Sequence, residues 1–202
     1  MNKRIATIKR KTTETDIRVT LNIDGTGKAK IKTPLKLLNH MLELFAFHGL
    51  FDLDISATGD FKEVDIHHTN EDIGIVLGQA FKKALAHKRG IKRFGSSSVP
   101  MEEVVANVVI DISGRAFFKF NQVPGGQPPQ MQDGYALKDL EHLLESLATH
   151  LGMNLNITVG PTNKDLHTCL EPVFKALGLA LRQATQIDPR RKGVPSTKGV
   201  ID

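Results

Sequence analysis

Hydrophobic and polar positions alternate along residues 4–11 and 16–23, so both segments read as strands. Asp24-Gly25-Thr26-Gly27 reads as a hairpin turn from the second strand into a short one at Ala29–Lys32. Over residues 34–47 the apolar positions recur at helical spacing, and Gly49 is the expected stop. Residues 51–57 alternate again and predict a strand. Residues 69–87 predict a long helix, with Ile73, Val76, Leu77, Ala80, Phe81, Ala84 and Leu85 on one stripe. A turn is expected at 95–98 and a strand at 103–112. The turn at Ser113-Gly114 should lead into another strand at 116–120. Residues 121–134, rich in Pro, Gly and Gln, predict a long mobile loop. A helix at 137–150, a strand at 153–159 and a helix at 173–185 complete the pattern.

The chain nearly repeats itself. Leu38-Asn39-His40-Met41-Leu42-Glu43 matches Leu140-Glu141-His142-Leu143-Leu144-Glu145, at an offset of about a hundred residues. Ala46, His48, Leu53 and Ile55 answer Ala148, His150, Leu155 and Ile157. His67-His68-Thr69-Asn70-Glu71 answers His167-Thr168-Cys169-Leu170-Glu171, and each is followed by an apolar helical run. Each half reads as strands, helix, strand, helix. The expected fold class is therefore α+β: duplicated half-domains with pseudo-twofold symmetry, helices packed on mainly antiparallel sheets. The halves are residues 1–92 and 93–202, sharing one compact domain.

Composition narrows the setting. The 202 residues are 40% hydrophobic, with no Trp and one Tyr, so the core is aliphatic plus Phe. No apolar run approaches a membrane span, and residues 1–13 lack the continuous apolar stretch of a secretory signal. A single cysteine, Cys169, makes no internal disulfide and fits a reducing, cytoplasmic setting. The net charge of +5 suits nucleic acid or a phosphorylated small molecule. The basic residues form no tract interleaved with aromatics, which weakens the nucleic-acid reading. Their densest cluster is Arg190-Arg191-Lys192 to Lys198 in the tail.

The repeated histidines carry the candidate chemistry. His67 and Glu71 are four apart, so a helix places both on one face, where they can hold one metal ion. His68 is rotated by about a third of a turn and can serve a different ion. His40, in the preceding helix, can complete a set. Mixed imidazole and carboxylate ligands suit Mn, Fe, Zn or Ni. Two such strings, each after a helix with its own His, point to a two-metal centre. His48 and His150 read as helix-end residues and His87 as surface.

Several motifs together resemble the imidazoleglycerol-phosphate dehydratase family. They are Arg10-Lys11-Thr12-Thr13-Glu14-Thr15, Leu38-Asn39-His40-Met41-Leu42, His48-Gly49-Leu50-Phe51-Asp52-Leu53 and His67-His68-Thr69-Asn70-Glu71-Asp72-Ile73-Gly74. Arg93-Phe94-Gly95, Val99-Pro100-Met101-Glu102-Glu103, Asp111-Ile112-Ser113-Gly114-Arg115, Phe174-Lys175-Ala176 and Pro195-Ser196-Thr197-Lys198-Gly199-Val200 extend it end to end. The resemblance implies a ribosomal protein S5 domain 2-like fold for each half. It implies a lyase of histidine biosynthesis that converts imidazole glycerol phosphate to imidazole acetol phosphate. It also implies a dimanganese (Mn2+) site at subunit contacts in a large homo-oligomer of about twenty-four subunits built from trimers.

That reaction explains such a site. The C–H to be broken is next to no carbonyl, so the imidazole ring must take up the electrons. A ring between two cations loses its N–H proton more easily. The metal-bound imidazolate can expel the neighbouring hydroxyl to give a diazafulvene-like intermediate; C–H loss and tautomerisation follow. By resemblance, Glu14 is the carboxylate that handles protons. The implied ligand sets are His40, His68, His167 and Glu171 for one ion, and His67, Glu71, His142 and the residue at 168 for the other. The implied phosphate site is Arg93, Arg115, Ser196, Thr197 and Lys198, with Lys175 in support.

Three departures stand out. Thr168 replaces a histidine ligand of the family pattern, which predicts weaker binding of one ion. Pro172 suggests that the last helix starts near Glu171, where Pro is accommodated, and this would spoil the facing of His167 and Glu171. Asn156 stands where the family usually has His. Two alternative functions are a two-metal hydrolase of a phosphorylated small molecule and a non-catalytic RNA-binding module.

Overall fold

The structure, a computed structural model, describes residues 3–127 and 129–201. Eight strands and four helices are seen among them. The first half holds β1 (Ile5–Lys11), β2 (Thr15–Asn22), β3 (Ala29–Lys32), α1 (Lys36–Gly49), β4 (Asp52–Gly59) and α2 (His67–Leu85). The second holds β5 (Phe94–Met101), β6 (Val104–Asp111), β7 (Phe117–Gln122), α3 (Leu137–Leu151), β8 (Asn154–Gly160) and α4 (Leu166–Thr185). The two four-stranded sheets have matching orders, β1-β2-β4-β3 and β5-β6-β8-β7. In each, only the last pair is parallel. The duplicated α+β architecture read from the repeat is thus the one found. None of the described helices is long and apolar enough to cross a membrane.

Alternation fixes which sheet face turns inward. Ile17, Val19 and Leu21 of β2 are buried, as are Leu53, Ile55 and Ala57 of β4. Val104, Ala106, Val108 and Ile110 of β6, with Leu155, Ile157 and Val159 of β8, do the same in the second sheet. The helices join the halves crosswise: α1 packs on α4, and α2 on α3, while α2 also covers β1 and β2 and α4 covers β5 and β6. One continuous apolar core results.

The helix contacts are close because glycine sits in them. A Cβ on Gly178 of α4 would stand 2.5 Å from the Phe45 carbonyl oxygen of α1. Its counterpart, Gly78 of α2, would bring one 2.8 Å from the Leu147 carbonyl of α3. Buried polar groups then set the register. Tyr135 donates its hydroxyl to Asn70 Oδ1 at 3.1 Å, and Asn70 Nδ2 donates to the Asp139 carbonyl at 2.5 Å. Asn70 therefore pins the first turn of α2 to the start of α3.

The structure corrects five local expectations. Residues 24–27 are not a hairpin turn, because β3 pairs with β4 rather than β2. The segment instead wraps the start of β4, where Asp52 Oδ1 accepts from the Thr26 and Lys28 amides at 2.8 and 3.2 Å. Gly49 is not the left-handed stop of α1 but its last helical residue; Leu50 is the cap, at φ 55°, and position 49 needs glycine because the Phe51 ring leaves no room for a side chain. Residues 95–98 are no turn but the middle of β5, where Gly95 lets α4 approach. The 121–134 loop begins after Gln122, and backbone bonds from Gln127 and Gln130 tie it to the 162 and 164 carbonyls. Finally, α4 begins at Leu166 and runs through Pro172, giving up the bond to the Thr168 carbonyl, since Asp165 caps its first turn.

Gly178→Ala should lower stability by about 1–3 kcal/mol, since the backbone it would meet cannot move aside. Gly193→Ala, with nothing within 4 Å, is the matched control. Urea unfolding of both variants checks this; equal midpoints would show that α1 and α4 tolerate a wider separation.

Candidate metal and substrate centre

Crosswise helix packing brings the histidines together in two corresponding groups, and of these the one on the α1–α4 side has its donor atoms converging on a single point. On the α1–α4 side, His167 Nε2 lies 2.8 Å and His40 Nε2 3.6 Å from Glu171 Oε2. The two rings stack at 5.3 Å. These three residues can converge on one ion. The facing of His167 and Glu171 thus survives Pro172, because the helix has already started before it. On the α2–α3 side, His67 Nε2 lies 3.7 Å from Glu71 Oε2, and His67 Nδ1 lies 3.1 Å from His142 Nδ1. A cleft of about 410 Å³ opens over them, lined also by Glu145, Ser146 and His150.

His68 joins neither group within the chain. Its Nδ1 is 2.8 Å from Asp60 Oδ2 and 3.9 Å from Glu14 Oε2, and these three form a separate cluster able to hold a cation. Asp60 escaped the sequence reading, since nothing in its spacing tied it to a residue eight positions on. Thr168, at the equivalent place in α4, is buried and donates its hydroxyl to Asp165 Oδ2 at 2.9 Å. It braces the Asp165 cap and offers no outward ligand.

Glu14 is set by the β1–β2 turn. Thr12 Oγ1 accepts from the Glu14 and Thr15 amides at 3.1 and 3.0 Å. Asp72 of α2 accepts from Arg10 Nε at 2.6 Å and from the Thr15 hydroxyl, which fastens this turn to the helix bearing the histidines.

The electrostatics follow from these contacts. Burial pushes the Glu171 carboxyl up, but Lys175, which grips Oε1, and His167 outweigh it and hold the group below the ordinary range. Lys175 is therefore spent on Glu171, not free for substrate. Burial, then Lys175, lower the nearby His48. Asp60, with Glu14 adding to it, holds His68 above the usual imidazole value.

The expected phosphate residues cluster elsewhere. Arg93, one of the implied phosphate residues, does not present a free fork. Its Nε and Nη2 instead bond Asp111 at 2.5 and 2.9 Å, and its Nη1 bonds the Pro195 carbonyl at 3.0 Å. Asp111 takes two of its donors because Phe94 and Asp111 are register partners. Arg93 so fixes the tail whose turn, closed by Gly199 N to Ser196 O at 3.0 Å, carries Ser196, Thr197 and Lys198. Arg115 stands at the same sheet end, its carbonyl held by Asn154 at 3.0 Å.

Residues 33–181 match the family model described as imidazoleglycerol-phosphate dehydratase. The enzymes of that name from Geobacillus kaustophilus and Pelobacter propionicus are 51% and 48% identical to this chain, across 98% of it and 99% of each of them. The chain belongs to the imidazoleglycerol-phosphate dehydratase family. Solved structures of such dehydratases agree: that from Pyrococcus furiosus has a TM-score of 0.78 at 35% identity, covering 96% of this chain and 99% of its own. That from Staphylococcus aureus has a TM-score of 0.76 at 29% identity, covering 91% and 99%. As a dehydratase of this family the protein is a hydro-lyase of histidine biosynthesis, acting on imidazole glycerol phosphate. The hydrolase and RNA-binding alternatives are not favoured.

His68 gives a pH prediction. A histidine held above its ordinary value of 6.5 contributes stability that is complete below that value. The contribution is lost as pH rises through the folded value. The chelator-treated dehydratase should therefore lose melting temperature relative to His68→Gln as pH climbs from 6 upward. Parallel curves for the two proteins would deny that Asp60 stabilises the protonated ring.

Proposed function

We propose that the dehydration is carried by two divalent cations, manganese by preference, held by the two histidine–glutamate groups. The observation that carries this reading is the crosswise meeting of His40 with His167 and Glu171, repeated as His142 with His67 and Glu71. In the first group three imidazole and carboxylate donors surround one point, borderline ligands of the kind Mn accepts; in the second, His67 faces Glu71 through Nε2 and His142 through Nδ1, so a ring must turn before all three share an ion. His68 supplies the fourth donor of the first group from a neighbouring subunit, because its own chain turns it toward Asp60 instead. The second group keeps three protein donors, since Thr168 is committed to Asp165. When bound, the cations draw negative charge from the substrate ring and ease loss of its N–H proton.

The chain's own residues do the remaining work. Glu14, half exposed and 3.9 Å from His68, is placed to take and return protons at the substrate carbons. Lys198, Ser196, Thr197 and Arg115 hold the phosphate, and Arg93 positions the tail that carries three of them. Lys175 acts by holding Glu171 rather than by touching substrate.

One chain does not complete this arrangement. Arg93 and Arg115 lie at the Asp111–Asn154 end of the second sheet, and His167 follows its Gly160 end. Seven residues of β8 separate the ends, roughly 20 Å at ~3.3 Å per residue. That exceeds the reach of one ring on a phosphorylated three-carbon chain. The site is therefore assembled from more than one subunit of a homo-oligomer; the family resemblance makes that assembly large, about twenty-four subunits, and the single cysteine fits a cytoplasmic setting.

Replacing Glu14 by Gln should abolish formation of the keto product while metal content, measured by elemental analysis, stays at the parent level. Full turnover would remove Glu14 from the mechanism. Glu171→Ala should strip the tighter ion by deleting the oxygen that both His40 and His167 face. Unaltered stoichiometry after dialysis would place that ion elsewhere.

A further inference from the structure

We propose that Asp60 is a positioning residue for His68: its carboxylate accepts the Nδ1 proton and so presents Nε2, with its lone pair, to the cation. The inference rests on the reading of His68 as a ligand. Asp60 Oδ2 stands 2.8 Å from His68 Nδ1, whereas Glu14 Oε2 is 3.9 Å away, beyond hydrogen-bond range. Of the two carboxylates, Asp60 thus fixes ring orientation and tautomer, and Glu14 stays unspent for proton transfer. Imidazole ligands commonly have their second nitrogen held this way, which raises their basicity and stops rotation.

The internal repeat supplies the independent argument. Both halves keep an aspartate that bonds the amide of the first histidine: Asp65 to His67 at 2.7 Å, Asp165 to His167 at 3.0 Å. Starting the helix therefore does not require Asp60. In the second half the place of His68 is taken by Thr168, and the segment after β8, Gly160-Pro161-Thr162, carries no carboxylate. Imidazole and acid are present together in one half and missing together in the other. Asp60 also pays nothing back to the fold through its second oxygen, which is buried without a hydrogen-bond partner. A buried unpaired oxygen is unfavourable by itself, so apart from its bond to His68 the side chain gives the fold no reason to keep it.

The test is titration of the full-length, assembled protein with Mn2+, free ion being counted by electron paramagnetic resonance. The proteins compared are the parent, Asp60→Ala, Asp60→Asn and His68→Ala. Asp60→Ala should weaken the class of Mn2+ sites that His68→Ala weakens, by roughly 10–100-fold. Asp60→Asn, whose amide oxygen accepts the same hydrogen bond, should recover most of that loss. An isotherm for Asp60→Ala that overlays the parent overturns the proposal. So does Asp60→Asn binding as weakly as Asp60→Ala, or loss of fold in both variants, either of which makes Asp60 structural. If His68→Ala itself binds Mn2+ like the parent, the ligand role of His68 fails, and the proposal falls with it.

Discussion

The close crosswise contact of α1 with α4 and of α2 with α3 is the constraint on which the rest depends. Gly178 and Gly78 let a carbonyl of the facing helix approach where a Cβ would collide. Only at that separation can the histidine of a first helix reach the histidine and glutamate of the other half's second helix. Pseudo-twofold symmetry then brings the corresponding residues His142, His67 and Glu71 together on the other side. The same contact closes the single core that holds both sheets, so fold and candidate centre share one packing solution.

The segment His67 to Asp72 divides its labour by helix face. His67, His68 and Glu71 project toward solvent or the cleft. Asn70 and Asp72 turn inward, Asn70 to Tyr135 and the start of α3, Asp72 to Arg10 and Thr15. Ligand-like spacing and structural anchoring therefore occupy one helical turn. Asp72 couples that turn to the loop bearing Glu14, which gives this carboxylate a fixed place relative to the histidines.

The two halves share a backbone plan but differ in chemistry. Asp60, His68 and Glu14 cluster at the start of α2, and a buried Thr168, bonded to the Asp165 cap, occupies the equivalent place in α4. The tail, organised by Arg93 on Asp111, belongs to the second half alone, and it carries the residues proposed to grip phosphate. Duplication supplied equivalent frames, and substitution made them complementary rather than redundant.

Periodicity alone determined the α+β class, the duplicated elements apart from β5 and the buried stripe of α2, because burial of one face imprints a local repeat on the residues. Four-residue spacing likewise made the His67–Glu71 and His167–Glu171 pairs legible, and the family motifs named Glu14. Strand neighbours were not legible: β3 lies beside β4 because Asp52 holds the 26–28 amides, an interaction spanning two dozen residues. Nor was the start of α4, where the cap at Asp165 outweighed the bond lost at Pro172. Asp60 and the Arg93–Asp111 bond emerged only from the folded chain. Partners distant in sequence leave no periodic trace, and which of them meet is decided by tertiary packing.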